Sequence, residues 1–319
     1  MGQPLVRYIA KRGEEPRWGV VFGDAVRPLT TRAATMSELL ASGSRFNPGR
    51  GAGLPLKRVQ ILSPVTPPCQ IVCQGKNYDD HIRETGSDPA QKSFNLFFQK
   101  ATSSLAPPVG DLQRPSGVKL LDYEIELGLV IGRAIRGPLK LEKQDLARYI
   151  AGLVIGNDIS ARDIQVPQGQ WFKGKSFRGF CPVGPVFYHT TAGDLDRLAE
   201  LRLELRVNDS VRQQALAGQM IFAPHETLSE LSTIMDLEPG DLILTGTPAG
   251  VSMQVKQGLK TRLAQAFLPP SKLWPAFVKM QLERPYLNDG DQITASIRTD
   301  DGAIDLGMQE LTVKAAASG

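Results

Sequence analysis

The chain is poor in the features that would tie it to several protein classes. Its three cysteines, Cys69, Cys73 and Cys181, form no Cys-x-x-Cys pair and no Cys/His cluster. A disulfide framework is therefore not expected, and reduced thiols are. No apolar run approaches the ~20 residues of a bilayer-spanning helix. The opening MGQPLVRYIAKRGEEP lacks the apolar core of a signal peptide, and the residues after Gly2 lack the Ser/Thr of a myristoylation signal. A cytoplasmic protein with no membrane association is expected. Charge of one sign is also missing: 37 Lys and Arg against 33 Asp and Glu give a net charge of +4, scattered rather than massed into a stripe. Nothing in that balance calls for a nucleic-acid partner. No Gly-x-Gly-x-x-Gly follows the first strand, which argues against a dinucleotide-binding doubly wound fold.

What is present is an ordinary globular composition, 41% hydrophobic and 22% charged over 319 residues. That length suits one large domain or two smaller ones, with a core that needs no staple. Residues 1–62 read as a small β-rich unit with one short helix, TMSELLASG, capped by Thr35 and ended by Gly43. The prolines of SPVTPPCQ mark a boundary. Beyond Ile71 the strand signals are YEIELGLVIG, IAGLVIGND, RLELRVND, DLILTG and QITASIRT. The helix signals are DDHIRET, LEKQDLARYIAG and APHETLSELSTIM. Strands and helices do not alternate strictly, so a mixed α+β domain around a curled, β-rich roll is expected. Residues 252–286 stand apart, with prolines at 269, 270, 275 and 285, a single acid, Glu283, and apolar residues including Leu263, Phe267, Leu268, Leu273, Trp274, Phe277 and Val278. Two readings stay open: an insertion packed on the surface or at a dimer interface, and a lid that shapes substrate access.

The most informative stretch is Asp122-Tyr-Glu124-Ile-Glu126-Leu-Gly-Leu-Val. In a strand, Asp122, Glu124 and Glu126 share one face, opposite Tyr123, Ile125, Leu127 and Leu129. Adjacent like charges repel unless a cation joins them. They are either solvated carboxylates at a strand's start or part of a metal site. Asp158, in Asn157-Asp-Ile-Ser-Ala-Arg-Asp163, is either a helix N-cap or the third member of an all-oxygen set. Three carboxylates suit Mg²⁺ or Mn²⁺ better than zinc. His81 and Glu84 stand three apart in a helix signal, so they meet on one face, either as an exposed pair or as a base with its orienting carboxylate. Lys175 is either a surface lysine or a donor to a developing oxyanion. The Thr245-Gly-Thr247-Pro-Ala-Gly loop is either a strand-ending turn or a carboxylate cradle.

Taken together, Glu124-Ile-Glu126, Asn157-Asp158-Ile-Ser-Ala-Arg-Asp163-Ile-Gln165, Lys175-Ser-Phe and Thr245-Gly-Thr247-Pro-Ala-Gly-Val resemble the fumarylacetoacetate hydrolase family. The resemblance covers about residues 70–250 plus the closing LNDGDQITASI strand; residues 252–286 depart from the family's compact pattern. It implies an α+β fold of the family's β-rich mixed-roll type, with a small N-terminal β-rich domain at 1–62 and a catalytic domain at 70–319 carrying the 252–286 insertion. It implies that Glu124, Glu126 and Asp158 hold one Mg²⁺ or Mn²⁺, with Asp122 behind them or solvated. The form G-x-N-Y-x-x-H-x-x-E resembles the family's catalytic lid and implies His81 as base, oriented by Glu84, with Lys175 as the third catalytic group. Gln165 and Thr247 are implied substrate contacts, and Tyr78, Lys100 and Arg83 are lower-ranked candidates for contacting the substrate's distal end. His189 and His225 fall outside any matching motif and are expected to be structural. The activity implied is hydrolysis of a carbon–carbon bond in a 2,4-dioxo acid (acylpyruvate type) by a homodimer. Decarboxylation or isomerisation of a related 2-oxo or 2-hydroxydienoic diacid is the nearest alternative, and a non-catalytic binding protein is a more distant one.

Overall fold

The computed structural model describes residues 2–43, 46–49, 52–91, 93–255 and 269–315. Leu263, Phe267 and Leu268, singled out above, lie outside the described residues. The architecture is mixed α+β and rich in strands, as expected. Its main sheet runs through Leu54–Pro55, Ala25–Pro28, Arg17–Phe22, Gln3–Ile9, Phe187–His189, Ile150–Asn157, Ile125–Ile131, Leu242–Leu244, Ile71–Gly75 and Leu96–Lys100. Gln60–Leu62 pairs with Gln3–Ile9 off this path. The N-terminal strands thus continue the sheet through the Gln3–Ile9 pairing with Phe187–His189. A second sheet is ordered Ser210–Leu216, Arg202–Val207, Gln292–Arg298, Asp305–Ala315, Val109–Arg114.

The central pair, Ile125–Ile131 and Ile150–Asn157, is buried along its whole length. Apart from Glu126 and Asn157 at the site end, both segments are apolar on both faces, which is what a strand covered on two sides requires. On one side Leu127, Leu129, Leu153 and Ile155 meet Leu203, Leu205, Ile297 and Val313 of the second sheet in one core. On the other, Val130 and Val154 pack with Leu5, Trp18, Met36, Leu39 and Phe187. Arg202–Val207 alternates strictly between half-buried and buried residues, the pattern of a sheet with one covered face. The short N-terminal helix is Met36–Ala41, and Thr35 Oγ1 accepts the Glu38 N–H at its start.

Two expectations are corrected here. LEKQDLARYIAG does not form an α-helix: a 3-10 turn spans Lys143–Arg148, and from Ile150 the chain is strand. The β-branched run that follows gains more in the sheet centre than the segment would gain as a lone helix. The acidic stretch is not one continuous strand either. Leu121–Asp122 pairs with Ser160–Ala161, and the main strand begins at Ile125. The break separates Asp122 from the Glu124–Glu126 alternation.

Candidate active site

The register of the two central strands builds the acidic cluster. Ile125 faces Asn157 and Glu126 faces Gly156, so Glu124 and Asp158 lie side by side just past the paired ends. The Asp158 N–H donates to the Glu124 carbonyl at 2.8 Å, and the Glu124 N–H donates to Asn157 Oδ1 at 3.1 Å. Carboxylate oxygens of Glu124, Glu126 and Asp158 lie within 4.8 Å of one another, all three residues buried. Asp158 is no helix cap: the next helix, Arg162–Gln168, is capped at Ala161 without a side-chain bond.

Buried cations answer these acids. Lys175 Nζ donates to Glu124 Oε2 and Asp158 Oδ2, both at 2.6 Å. Arg162 bridges Asp122 and Glu124, with Nε at 2.9 Å from Asp122 Oδ2. Asp122 is fully buried, so its solvated reading is corrected: it acts on Glu124 through Arg162. Lys100, expected at the substrate's distal end, is instead buried behind the cluster and bonded to Asp158 Oδ1 at 2.5 Å. Arg83, also expected there, is exposed and paired with Asp80 at 2.7 Å. Burial alone would raise the Glu124 pKa, but Arg162 and Lys175 hold it well below the ordinary range. Glu126 goes the other way, pushed well up by burial and by the Asp158 and Glu124 charges, although Gly246 N–H donates to its Oε2 at 2.7 Å. Four carboxylates thus face three cations in a dry site, with the surplus negative charge felt at Glu126. A hard divalent cation fits that donor set and that surplus.

The base candidate comes from the Asp79–Glu84 helix, where His81 Nδ1 lies 2.8 Å from Glu84 Oε1. The second Glu84 oxygen accepts the Gly250 N–H at 2.9 Å. Asn77, one turn earlier, staples this helix to the loop after Leu242–Leu244: its Nδ2 donates to the Thr245 and Phe222 carbonyls and its Oδ1 accepts the Phe222 N–H. Gly246 serves that close approach with φ +91°, where a Cβ would meet Asn77 Cβ at 2.8 Å.

These elements enclose a cavity of about 230 Å³, whose wall includes His81, Glu124, Glu126, Lys175, Gln165 and Thr247. Gln165 Oε1 accepts from Arg162 at 2.9 Å. The Thr247 hydroxyl donates to the Ile125 carbonyl and accepts from Gln213 Nε2 at 2.7 Å. Tyr78 is buried at the start of the His81 helix, its hydroxyl without a partner among the described residues and its pKa raised by burial and by Glu126. His189 packs edge-on against Phe46, away from this wall. Sequence reasoning gave no role to Gln213, whose Oε1 also accepts the Ile125 N–H, or to Arg162. The four-acid surplus was the signal that a cation such as Arg162 had to exist. Gln213 carried no such signal.

A buried acid cluster and a carboxylate-held imidazole thus share the wall of one small cavity. The fumarylacetoacetate (FAA) hydrolase C-terminal model matches residues 70–314, and the chain belongs to that family. It is 34% identical over 263 residues to the mitochondrial oxaloacetate tautomerase Fahd2a of Rattus norvegicus, covering 78% of this chain and 82% of that protein. It is 38% identical over 199 residues to the oxaloacetate tautomerase YisK of Bacillus subtilis, covering 61% of this chain and 64% of that one. Among solved structures, a fumarylacetoacetate hydrolase from Exiguobacterium antarcticum aligns with TM-score 0.75 at 32% identity, covering 98% of this chain and all of that chain. A 2-hydroxyhepta-2,4-diene-1,7-dioate isomerase from Mycobacterium marinum aligns with TM-score 0.71 at 26% identity, covering 99% of this chain and all of that one. Among the described residues no helix is long and apolar enough to cross a membrane.

Proposed function

We propose that the protein is a divalent-cation-dependent tautomerase or isomerase of a small 2-oxo acid, with His81 as the proton carrier. The observation that carries this reading is the placement of the Glu84-held imidazole and the acid triad on the wall of one cavity. At about 230 Å³ that space suits an acid of a few carbons. Glu124, Glu126 and Asp158 would hold the cation, which when bound supplies Lewis-acid stabilisation of negative charge on the 2-oxo oxygen.

The chain's own groups do the rest. With Nδ1 engaged by Glu84, His81 keeps Nε2 for the substrate proton, and Glu84 stabilises the imidazolium that forms. Removing the C3 proton moves the C–H electron pair into the C2–C3 bond and the C2=O pair onto oxygen, leaving an enolate. Protonation of that oxygen gives the enol and the reverse path gives the keto acid; in a 2-hydroxydiene acid, loss of the hydroxyl proton and protonation of a more distant carbon complete the isomerisation. Lys175 has two N–H donors on Glu124 and Asp158, and an ammonium has a third to offer the substrate oxygen. Gln165 and Thr247 line the same wall as the contacts for the acid end.

Hydrolysis of an acylpyruvate is the second reading, supported by the fumarylacetoacetate hydrolase neighbour; the same pair would then draw a proton from water. The names of the two curated relatives favour proton transfer without water. The test compares oxaloacetate tautomerisation with acetylpyruvate cleavage, each with Mg²⁺ or Mn²⁺ and with chelator. Cation-dependent tautomerisation that falls by about 10²–10⁴ in His81→Ala supports the first reading. Acetylpyruvate cleavage without tautomerisation replaces it by the second.

A further inference from the structure

The strap that follows the Thr245–Gly250 loop reaches both halves of the site through its backbone. Ser252 and Met253 N–H donate to Asp122 Oδ1 and Oδ2 at 2.9 and 3.2 Å, and Asp122 holds the Arg162 that reaches Glu124. Val255 N–H donates to the Glu84 carbonyl at 3.0 Å, at the end of the helix that carries His81. Met253 and Val255 also stand on the cavity wall. Four consecutive residues, 252–255, therefore touch both Asp122 and the end of the His81 helix.

The strap is in turn held by residues at the far end of the 252–286 segment. Gln281, the last residue of the Pro270–Gln281 helix, is 1% exposed. Its Nε2 donates to the Gln254 carbonyl at 2.8 Å, and its Oε1 accepts the Tyr286 hydroxyl at 2.9 Å. Arg284 donates to Gln254 Oε1 at 2.9 Å, and Ser252 Oγ donates to the Pro285 carbonyl at 2.9 Å. A buried amide with both ends engaged is costly to misplace, because moving it leaves two polar groups dry and unpaired.

We propose that Gln281 is a positioning residue for the His81–Glu84 pair: by fixing Gln254 it fixes the strap, and through Val255 the height of Glu84 over the acid cluster. Residues 252–255 and 281–286 are then part of the active-site frame. This rests on the proton-carrier role proposed above for His81 and Glu84.

The experiment is a double-mutant cycle on cation-loaded full-length protein, with enol-oxaloacetate as the probe. Gln281→Met keeps the bulk and loses the donor. Its kcat is expected to fall on the order of tenfold, with KM changed little, because the strap shifts and the base loses its aim. In a Glu84→Gln background, where the carboxylate that stabilises the imidazolium is already lost, the same change is expected to cost clearly less. Equal losses in both backgrounds would mean that Gln281 supports the fold without acting through Glu84, and would overturn the proposal. Should Glu84→Gln itself leave turnover unchanged, the assignment of the base fails, and this inference falls with it. If Gln281→Met does not fold, Arg284→Gln loosens Gln254 from the half-buried side, with the same sign expected and the same dependence on Glu84.

Discussion

Lys100 Nζ lies 2.5 Å from Asp158 Oδ1, and both side chains are completely shielded from solvent. Lys100 therefore supports an acid of the cluster from behind. Removing one partner of a buried pair strands the other charge, which typically costs about 3–5 kcal/mol. Lys100→Met is expected to lower stability by that order in chemical denaturation. Its divalent-cation affinity, read by titration calorimetry, should also fall, on the order of the 10–100-fold seen when the support of a ligand is removed. A variant with unchanged stability and unchanged Mn²⁺ affinity would show that Asp158 does not depend on it.

Glu126 is predicted to make binding of a divalent cation pH-dependent. Its pKa is raised by burial and by the Asp158 and Glu124 charges, so the folded protein holds a proton there that an unfolded chain releases at lower pH. The sign follows directly. Above the ordinary glutamate range the fold is penalised for ionising Glu126, and a divalent cation relieves that penalty by taking the proton's place. The gain in Tm on adding Mn²⁺ should grow as pH rises from about 5 towards 8, and Glu126→Gln should flatten the slope. A gain that shrinks with rising pH would contradict the assignment.

Gly250 has φ +107°, and a Cβ there would collide with the Arg212 carbonyl oxygen. Its N–H donates to Glu84 Oε2, so Gly250→Ala must move the loop that steadies Glu84, the partner of the proposed base. Turnover is expected to drop on the order of 10–100-fold, through kcat more than KM. The far-UV circular dichroism should be retained, since the core strands lie elsewhere.

The thiols are predicted to be inert. Burial pushes Cys69 and Cys181 up to about 12, and Cys73 well above its ordinary value. A thiol-specific reagent at pH 8 should label the native protein slowly and three thiols after denaturation, matching the three cysteines of the chain. Fast labelling of more than one thiol in the native protein would show that the core around the buried Cys73 and Cys181 opens readily, since Cys69 is only half-buried.

Much of the site was legible because it is written at short range. A period of two in extended chain puts Glu124 and Glu126 on one side, and a spacing of three puts His81 beside Glu84 on a helix. The doubly apolar run from Ile125 to Ile131 announces an interior strand whatever its neighbours are. By contrast, LEKQDLARYIAG carries both a helical pattern and the start of a β-branched run, and the sheet decided between them.

The amino-acid order by itself determined that Glu124 and Glu126 share one side, that His81 has a carboxylate partner and that Ile125–Ile131 is an interior strand, because each follows from local geometry; that Asp158 joins the two glutamates depends on the pairing of two separate strands. Only the tertiary structure decided that Lys100 and Arg162 neutralise those acids, that Asp122 works through Arg162, and that Gln281 reaches back 27 residues to hold Gln254. Those pairings join segments distant in the chain. Which cation lies next to a given carboxylate then depends on how the sheets and helices stack, and no periodicity within one segment encodes that.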